Sequence, residues 1–143
     1  MTKNLESPKR LAPTGETLRE LFLKSGNLCA YPGCDHLMMN AEGVFIGQIC
    51  HIEAAERGGQ RFNPISSNEE RRQAKNLMLM CHAHHKVTDK VGTHSVQKLR
   101  EIKRKHEIRF SAPERAMMDH LKDWTKSAKP SVATNLGRLC RVL

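Results

Sequence analysis

The sequence has few aromatic residues and no long apolar run. Aromatic residues make up 4% and hydrophobic residues 38% of its 143 positions, which predicts a modest core. Such cores often need additional stabilisation by a bound metal or a covalent cross-link. No apolar stretch approaches the roughly 20 residues that a membrane-spanning helix requires, and the first residues, MTKNLESPKRLAPTGE, lack the apolar core of a secretory signal. We therefore expect one small cytoplasmic domain that does not contact membranes.

Acidic residues are also in the minority. The chain has 24 lysine and arginine residues against 15 acidic ones, a formal net charge of +9, and such an excess is typical of proteins that bind nucleic acid. A generally basic soluble protein would explain the charge equally well. The five cysteines add a second indication, because clustered cysteines in the cytoplasm more often bind a metal than form disulfides.

The hydrophobic pattern predicts a mixture of helices and strands. Thr14 is a good N-cap, and Gly26 a good stop, for a helix between them. Residues 44–52 suggest strands, and residues 76–80 are a short apolar run typical of a buried strand. The polar segment between them, residues 56–75, is long enough to indicate a function of its own.

Helices are expected after the second strand. Residues 82–91 are compatible with a helix, and Ser95 caps a further helical pattern. The predicted organisation is a flexible N-terminal arm (residues 1–13), one α+β domain (residues 14–110), and a C-terminal helix and tail (residues 111–143). We interpret that last part as a segment for interaction with a partner.

Two pairs of metal-binding residues suggest a structural zinc site. Cys29 and Cys34 flank a Pro-Gly turn, and Cys81 and His84 form a second pair where the second strand meets the next helix. Turns of this kind bring ligands together, and tetrahedral coordination by nitrogen and sulfur closes a structural zinc site. The spacing from Cys81 favours His84 over His82 as the fourth ligand. Buried free thiols beside a surface histidine are the alternative.

The residues after this pair suggest a second, open site. In a helix, His85 and Asp89 share one face, about 100° around the axis from His84, so that one helix can serve two centres. His51 ends the first apolar segment, and Asn76 begins the second. Taken singly, a core histidine and a capping asparagine would explain His51 and Asn76. Together, beside the cysteine pairs, they favour a catalytic site.

The segments ICHIEAAERGGQRFNP and KNLMLMCHAHHKVTD carry a family resemblance. They resemble the His-Asn-His (HNH) endonucleases, with His51, Asn76 and His85 at the three positions that give the family its name. The resemblance covers roughly residues 15–107 and includes the cysteine pairs of zinc-stapled members. It implies a small ββα-metal core, also called a His-Me finger, with a structural zinc and flanking helices.

The resemblance also implies roles for these residues. His51 would be the general base that takes a proton from water, and His85 would hold a single divalent ion such as Mg²⁺ or Mn²⁺ at the scissile phosphate. Asp89 would be a second ligand of that ion or would orient His85, while Asn76 would hold the loop or His51 in place. Many members carry a metal-binding Asp or His where this sequence has Cys50, which is either a small core residue or a thiolate that favours softer ions.

Basic residues around the long polar segment are candidates for binding nucleic acid. Two glycines after the proposed base allow a close approach of the backbone, and cations nearby would bind phosphates with little dependence on sequence. The scarcity of aromatic residues argues against recognition of single strands by stacking. The candidates are Arg57, Arg61, Arg71, Arg72 and Lys75, with Arg61 favoured by the resemblance.

Three functions are consistent with these patterns. The first is a metal-dependent HNH endonuclease that hydrolyses phosphodiester bonds in DNA, above all duplex DNA with weak sequence preference. The resemblance extends to nucleases of bacterial restriction and antiphage systems, which predicts a regulatory protein or domain, and a double-strand break would imply a homodimer or two events. The second is a zinc-stapled module that binds nucleic acid without cleaving it. The third is an adaptor that binds proteins.

Overall fold

The structure, a computed structural model, describes residues 6–111. The chain divides into two units, residues 1–111 and residues 112–143, and only the first contains described residues. The predicted C-terminal interaction segment, residues 111–143, therefore lies outside the described part apart from Ser111. Within the described part, no helix is both long and apolar enough to cross a membrane.

Two short antiparallel strands lie at the centre of the described residues. β1 spans Gln48–His51 and β2 spans Leu77–Met80. His51, at the end of β1, lies opposite Leu77. All four residues of β2 are buried, which agrees with the prediction of a buried strand from the unbroken apolar run.

Four α-helices and one turn of 3₁₀ helix accompany this sheet in the described residues. The α-helices are α1 (Gly15–Ser25), α2 (Asn68–Arg71), α3 (His82–Thr88) and α4 (Val96–Ile108), and the 3₁₀ turn is Ala74–Asn76. Helix α1 packs against β2 and α4, and α3 packs against β1. The predicted α+β class is therefore confirmed.

The ends of α1 and α4 follow the predicted capping signals. The side chain of Thr14 accepts a hydrogen bond from the backbone N–H of Thr17 at 3.2 Å, which satisfies a donor that the helix terminus leaves without a partner. Ser95 does the same for the N–H of Lys98 at 3.2 Å. Gly26 follows α1 with a φ of 59°, a left-handed conformation that glycine adopts without strain.

The apolar residues before β1 do not form the strand that their sequence suggested. Residues 44–46 are exposed and make one isolated bridge, between Met39 and Phe45. The carbonyl of Met38 accepts a hydrogen bond from the N–H of Ile46 at 2.8 Å, so the chain folds back on itself as a tight loop. The prediction of a strand here was wrong, because strand propensity reflects packing against a partner strand and this segment has none.

The core lies between β2, α1 and α4. Leu21 of α1, Leu79 of β2 and Leu99 of α4 are each 1% exposed. No aromatic side chain among the described residues is fully buried, in line with the small aromatic content of the sequence. Cys29 and Cys81 belong to the same buried cluster, so a metal bound to their sulfur atoms would be continuous with the core.

Residues 6–13, predicted to be part of a flexible arm, are attached to the domain. The backbone N–H of Lys9 donates to Oδ1 of Asn68 at 2.9 Å, and Nδ2 of Asn68 donates to the carbonyl of Ser7 at 2.9 Å. Asn68 is the first residue of α2 and is 1% exposed. The sequence did not predict these contacts, because a polar stretch does not reveal that a buried amide binds its backbone; the flexibility of the arm stays a prediction.

Candidate functional site

Four side chains from two distant parts of the chain converge on one point. One ligand atom each of Cys29, Cys34, Cys81 and His84 lies within 4.8 Å of the other three. Nδ1 of His84 is 3.2 Å from Sγ of Cys81 and 3.7 Å from Sγ of Cys29. The ligands of one tetrahedral zinc ion lie roughly 3.5 to 4 Å apart. The predicted set therefore lies close enough together to bind a metal such as zinc.

A tight turn brings the first two cysteines together. Gly33 has a φ of 77°, which a residue with a side chain rarely adopts, and the N–H of Cys34 donates to the carbonyl of Tyr31 at 3.1 Å. The next contact ties this turn to the sheet, because the N–H of Ala30 donates to the carbonyl of Leu79 at 2.8 Å. The loop is thus fixed against the strand that leads into the second pair.

The first turn of α3 supplies the second pair. Cys81 is the N-cap of α3, and His84 lies inside the helix. The ring of Tyr31 stacks on the imidazole of His84, with centroids 4.1 Å apart and planes 6° from parallel, and this contact helps to set the orientation of the imidazole. His82 is exposed and does not belong to the cluster, in agreement with the predicted preference for His84.

Burial and one backbone N–H act on the Cys29 thiol in opposite directions. Burial raises the pKa of this thiol to about 12. The backbone N–H of Cys81 lies 3.3 Å from its sulfur and favours the thiolate, although burial has the larger effect. A divalent ion would supply the missing stabilisation, since coordination deprotonates a thiol outright. Three sulfur atoms and one nitrogen are a donor set that suits Zn²⁺.

A cleft of about 320 Å³ lies beside β1 and α3. His51, His85 and Asp89 all line it, so it brings together three residues that the sequence analysis assigned to catalysis. Their catalytic role stays a prediction. The other charged residues that line the cleft are Arg10, Glu56, Arg57 and Arg61.

The two imidazoles of this cleft each have a buried ring nitrogen without a hydrogen-bond partner. These atoms are Nε2 of His51 and Nδ1 of His85. Burial lowers the pKa of His51 to about 4, and the positive charge of Arg10 acts in the same direction. His51 is therefore neutral at physiological pH and able to accept a proton. Buried polar atoms normally have partners, so the two nitrogens mark places where an ion, water or substrate would bind.

The predicted ligands of a catalytic ion do not converge as the zinc ligands do. Within residues 6–111, only the group around Cys81 brings three or more such side chains together. Cys50 is 3% exposed, and burial raises the pKa of its thiol to about 12. Cys50 also lines the cleft that contains His85 and Asp89. The assignment of Cys50 as a metal ligand stays a prediction, as do those of His85 and Asp89, and a small core residue stays the alternative interpretation of Cys50.

Asn76 supports the loop that follows His51. Its side chain accepts a hydrogen bond from the N–H of Glu53 and donates to the carbonyl of the same residue, both at 2.9 Å. A second donation goes to the carbonyl of Arg71 at 2.8 Å. Asn76 is 8% exposed, so these bonds lie out of water and fix the backbone two residues after His51.

Arg71 is committed to the interior of the fold. It is 3% exposed and donates to Oδ1 of Asn68 and to the carbonyl of Asn63, both at 2.9 Å. Its guanidinium also lies 4.8 Å from the centre of the Phe62 ring. Arg71 also lines a cavity outside the histidine cleft. Its guanidinium is largely occupied by these partners, and the predicted phosphate contact of Arg71 stays a prediction.

Arg61 lines the cleft but uses most of its guanidinium to bind backbone. Its Nε donates to the carbonyl of Ile52 at 2.7 Å, and its Nη1 donates to the carbonyls of Thr88 at 2.7 Å and His94 at 3.2 Å. These acceptors come from the segment after β1, the end of α3 and the segment before α4. Arg61 therefore joins three parts of the domain, and a phosphate contact by this residue stays a prediction.

The remaining predicted cations differ in how far they reach into solvent. Arg57 and Lys75 are exposed, and Arg57 lines the cleft. Arg72 pairs with Glu69 at 2.7 Å and has a side chain that is 28% exposed. Arg57 is thus the member of this set that is best placed to meet a ligand in the cleft.

Sequence reasoning missed two residues of this region. Arg10 lines the cleft from the N-terminal arm, where neither periodicity nor a motif points to it. Glu53 has a side chain that is 14% exposed and lies 3.3 Å from Arg100 and from Ser66. Glu53 lines a second cavity with Asn76 and Arg100, and no periodicity or motif in the sequence points to it.

No protein-family model matches the chain, and no curated protein matches it significantly. The likeness to HNH nucleases therefore rests on the residues described above. Those residues form a Cys₃His cluster and, on the same helix, the wall of a cleft that contains two histidines.

Proposed function

We propose that this protein is a metal-dependent endonuclease of the HNH type, which hydrolyses phosphodiester bonds in DNA. The observation that supports the proposal best is the pair of buried, unpartnered imidazole nitrogens on His51 and His85, which line one cleft together with three arginines. Phosphodiester hydrolysis requires a group that is free to accept a proton and positive charges that stabilise the phosphate. The two histidines and the arginines of this cleft could supply them.

His51 is the general base in this proposal. Its pKa is lowered to about 4, so the imidazole is neutral and takes a proton from a water molecule at neutral pH. The backbone that follows it is held by Asn76 through both polar groups of Glu53. Such support limits the movement of the base relative to the substrate, which matters because catalysis depends on positions within about 0.5 Å.

His85 and Asp89 hold the divalent ion. The unpartnered Nδ1 of His85 fits a ligand, and Asp89 lines the same cleft. With two protein ligands, the ion would keep several waters, which is usual for Mg²⁺. When bound, the ion polarises the phosphate and stabilises the leaving oxygen.

The substrate is most compatible with a nucleic acid bound through its backbone. Arg10 and Arg57 offer cations at the cleft, and the whole chain carries a net charge of +9. Contacts to phosphates position a duplex but carry no sequence information. We therefore propose duplex DNA with weak sequence preference as the substrate.

The Cys₃His cluster would act through α3. Its ligand His84 immediately precedes His85, and Cys81 lies one turn earlier in the chain, so an ion that fixes the first turn of α3 also fixes His85. Zinc bound there would have a structural role.

A second function has one observation in its favour. His85, Asp89 and Cys50 do not form a converged ligand group within residues 6–111, which fits a zinc-stapled module that binds nucleic acid without cleaving it. The proposed nuclease requires that one histidine, one carboxylate, water and the phosphate itself suffice to hold the ion.

Nicking of supercoiled plasmid in Mg²⁺, Mn²⁺ or Ni²⁺ separates the two functions. We expect nicking by the wild-type protein and its loss in His51→Ala and in His85→Ala. His82→Ala is the matched control, since His82 lies on the same helix but is exposed. DNA binding without nicking in any of these metals would support the non-catalytic module, and equal nicking by His51→Ala and wild type would rule out the proposed base.

A further inference from the structure

We propose that Arg10, from the N-terminal residues 6–13, forms part of the catalytic cleft and contacts a phosphate of the bound nucleic acid there. This inference rests on the proposed function, because it assigns a substrate-binding residue to the same cleft. It adds a part of the chain that the resemblance to HNH nucleases does not include, since that resemblance begins near residue 15.

The first support is the attachment of the arm to α2. The side chain of Asn68 accepts a hydrogen bond from the N–H of Lys9 and donates one to the carbonyl of Ser7, both at 2.9 Å. The backbone N–H of Asn68 donates to the carboxylate of Glu6 at 3.2 Å. An amide that is 1% exposed and pairs with two backbone groups holds the arm in one register, because leaving either group unpaired there is unfavourable.

A second attachment lies on the other side of Arg10. Nη1 of Arg72 donates to the carbonyl of Ala12 at 3.1 Å. Arg10 therefore lies between two points at which the arm is bound to the segment around α2. The backbone of Arg10 is thus held in place by the contacts of its neighbours, and its side chain is not needed for this.

The anchor is connected to the base by a chain of hydrogen bonds. Asn68 accepts from the guanidinium of Arg71 at 2.9 Å, and the carbonyl of Arg71 accepts from Asn76 at 2.8 Å. Asn76 in turn binds the backbone of Glu53, two residues after His51. The arm and the base are thus connected by one buried polar network, in which Nε of Arg71 is a buried atom without a hydrogen-bond partner.

The third support is the chemistry of Arg10 at the cleft. Arg10 lines the cleft together with His51, and its charge contributes to the lowered pKa of that histidine. Among residues 6–111, no carboxylate forms an ion pair with Arg10. By contrast, Arg61 binds three backbone carbonyls, and Arg57 lies 5.8 Å from the centre of the Phe62 ring.

An arginine suits this position because of its shape. The guanidinium is a planar fork that binds two oxygens of a phosphate at once, and it stays protonated at any pH at which the protein is folded. A neighbouring cation also disfavours protonation of His51. For His51 this effect is smaller than that of burial.

The test compares Arg10→Ala with Lys9→Ala. Lys9 carries the same charge one residue away and takes part in the anchor only through its backbone, so Lys9→Ala is a matched control for net charge. We expect kcat/KM for plasmid nicking to fall about 10- to 100-fold in Arg10→Ala, the effect of losing a charged hydrogen bond, and less than about 3-fold in Lys9→Ala. Arg10→Lys should recover part of the loss, because a point charge replaces the fork.

The anchor is tested with Asn68→Ala. If the arm delivers Arg10, this variant should lose as much activity as Arg10→Ala, and the double variant should lose little more. Trypsin should also cleave after Lys9 and Arg10 faster in Asn68→Ala than in wild type. Asn68→Asp is the second variant, in case Asn68→Ala does not fold. It keeps the acceptor for Lys9 and removes the donor to Ser7, so its nicking activity should lie between those of wild type and Arg10→Ala.

Binding separates this inference from the proposed function. Affinity for a short DNA duplex is measured in the His51→Ala background, where no cleavage is expected, with and without Arg10→Ala. A chain that binds the duplex and loses affinity specifically in Arg10→Ala supports the inference even if the wild-type protein nicks nothing. Nicking or binding that is equal in Arg10→Ala and Lys9→Ala would overturn it, as would a chain that neither nicks nor binds DNA.

Discussion

The side chain of Asn76 binds Glu53 at both of its backbone polar groups, accepting from the N–H and donating to the carbonyl at 2.9 Å each. The strands β1 and β2 end their pairing at His51 and Leu77. Just beyond that end, the side chain of Asn76 makes the two hydrogen bonds that a paired strand residue would make with its backbone. The catalytic loop thus leaves the sheet in a defined direction.

Asn76→Asp should therefore lower both stability and activity. The substitution keeps the acceptor and removes two buried donations, to Glu53 and Arg71, and leaving buried carbonyls unpaired costs about 1–3 kcal/mol for each group. Urea unfolding measures the loss of stability, and nicking per folded molecule measures the loss of positioning.

Asn27→Asp is the matched control for this change. Asn27 binds both backbone groups of Met39, at 2.7 and 3.0 Å, but does not line the cleft. It should lose stability with no change in nicking per folded molecule. Equal losses of specific activity in the two variants would show that Asn76 acts through general stability alone.

Substitution of the Cys₃His cluster should unfold the domain rather than only inactivate it. Cys81→Ser removes a ligand that belongs to the core, and the binding free energy of a structural zinc is folding free energy. We expect zinc to be absent from the purified variant by elemental analysis and its thermal transition to broaden or disappear. Cys50→Ala is the comparison: it should keep its zinc and lose about 1 kcal/mol, because it removes one buried sulfur outside the cluster. Loss of zinc from Cys50→Ala would contradict the assignment.

The buried imidazole of His51 predicts an unusual pH dependence. Since its pKa is lowered from 6.5 to about 4, the base stays neutral through mildly acidic conditions, and the nicking rate should change little between pH 7.5 and 5.5. An acid limb with a midpoint near 6.5 would contradict this. Zinc release, followed with a chromophoric chelator at each pH, is the control for loss of the metal.

The same shift sets the sign of the stability change with pH. The folded protein binds a proton at His51 less readily than the unfolded chain does, so this contribution to stability is complete above pH 6.5 and is lost as the pH falls toward 4. Burial lowers the pKa of His94 and His106 as well, which acts in the same direction. The midpoint of urea unfolding should therefore decrease from pH 7 to pH 5, and His51→Gln should reduce that decrease.

Arg61→Lys should destabilise the domain although it conserves charge. A lysine cannot reproduce the donations from Nε and Nη1 to three carbonyls, and we expect the melting temperature to fall by about 5–10 °C, the effect of one to two kcal/mol in a domain of this size. Arg57→Lys is the control, because Arg57 is exposed and its melting temperature should not change. A stable Arg61→Lys protein with weakened DNA binding would instead support the predicted phosphate contact.

Local signals in the sequence predicted the elements that depend on local chemistry. Thr14, Gly26 and Ser95 marked helix ends correctly because capping involves neighbouring residues only. The two ligand pairs were recognisable for the same reason, since each pair lies within six positions of the chain, from Cys29 to Cys34 and from Cys81 to His84.

Features that depend on distant contacts were not predictable in the same way. Residues 44–46 resemble a strand but have no partner strand, and Arg71 resembles a surface cation although Asn63 and Asn68 surround its guanidinium. The place of Arg10 depends on the buried amide of Asn68, which binds the backbone of the preceding residue, Lys9, 59 positions away in the chain. Charge and periodicity contain no information about such pairings.

The hydrogen bonds from Arg61 to three carbonyls affect where the long connection between the two strands should accept additional residues. Residues 52–76 link β1 to β2, and the bond to Ile52 closes the first part of that connection on itself. What remains is a shorter bridge from Arg61 to α2, and the entropy of closing a flexible bridge rises by only about 0.6 kcal/mol each time its length doubles. Added residues beside Pro64 and Ile65, which are exposed, would thus lengthen this bridge at little expense to folding.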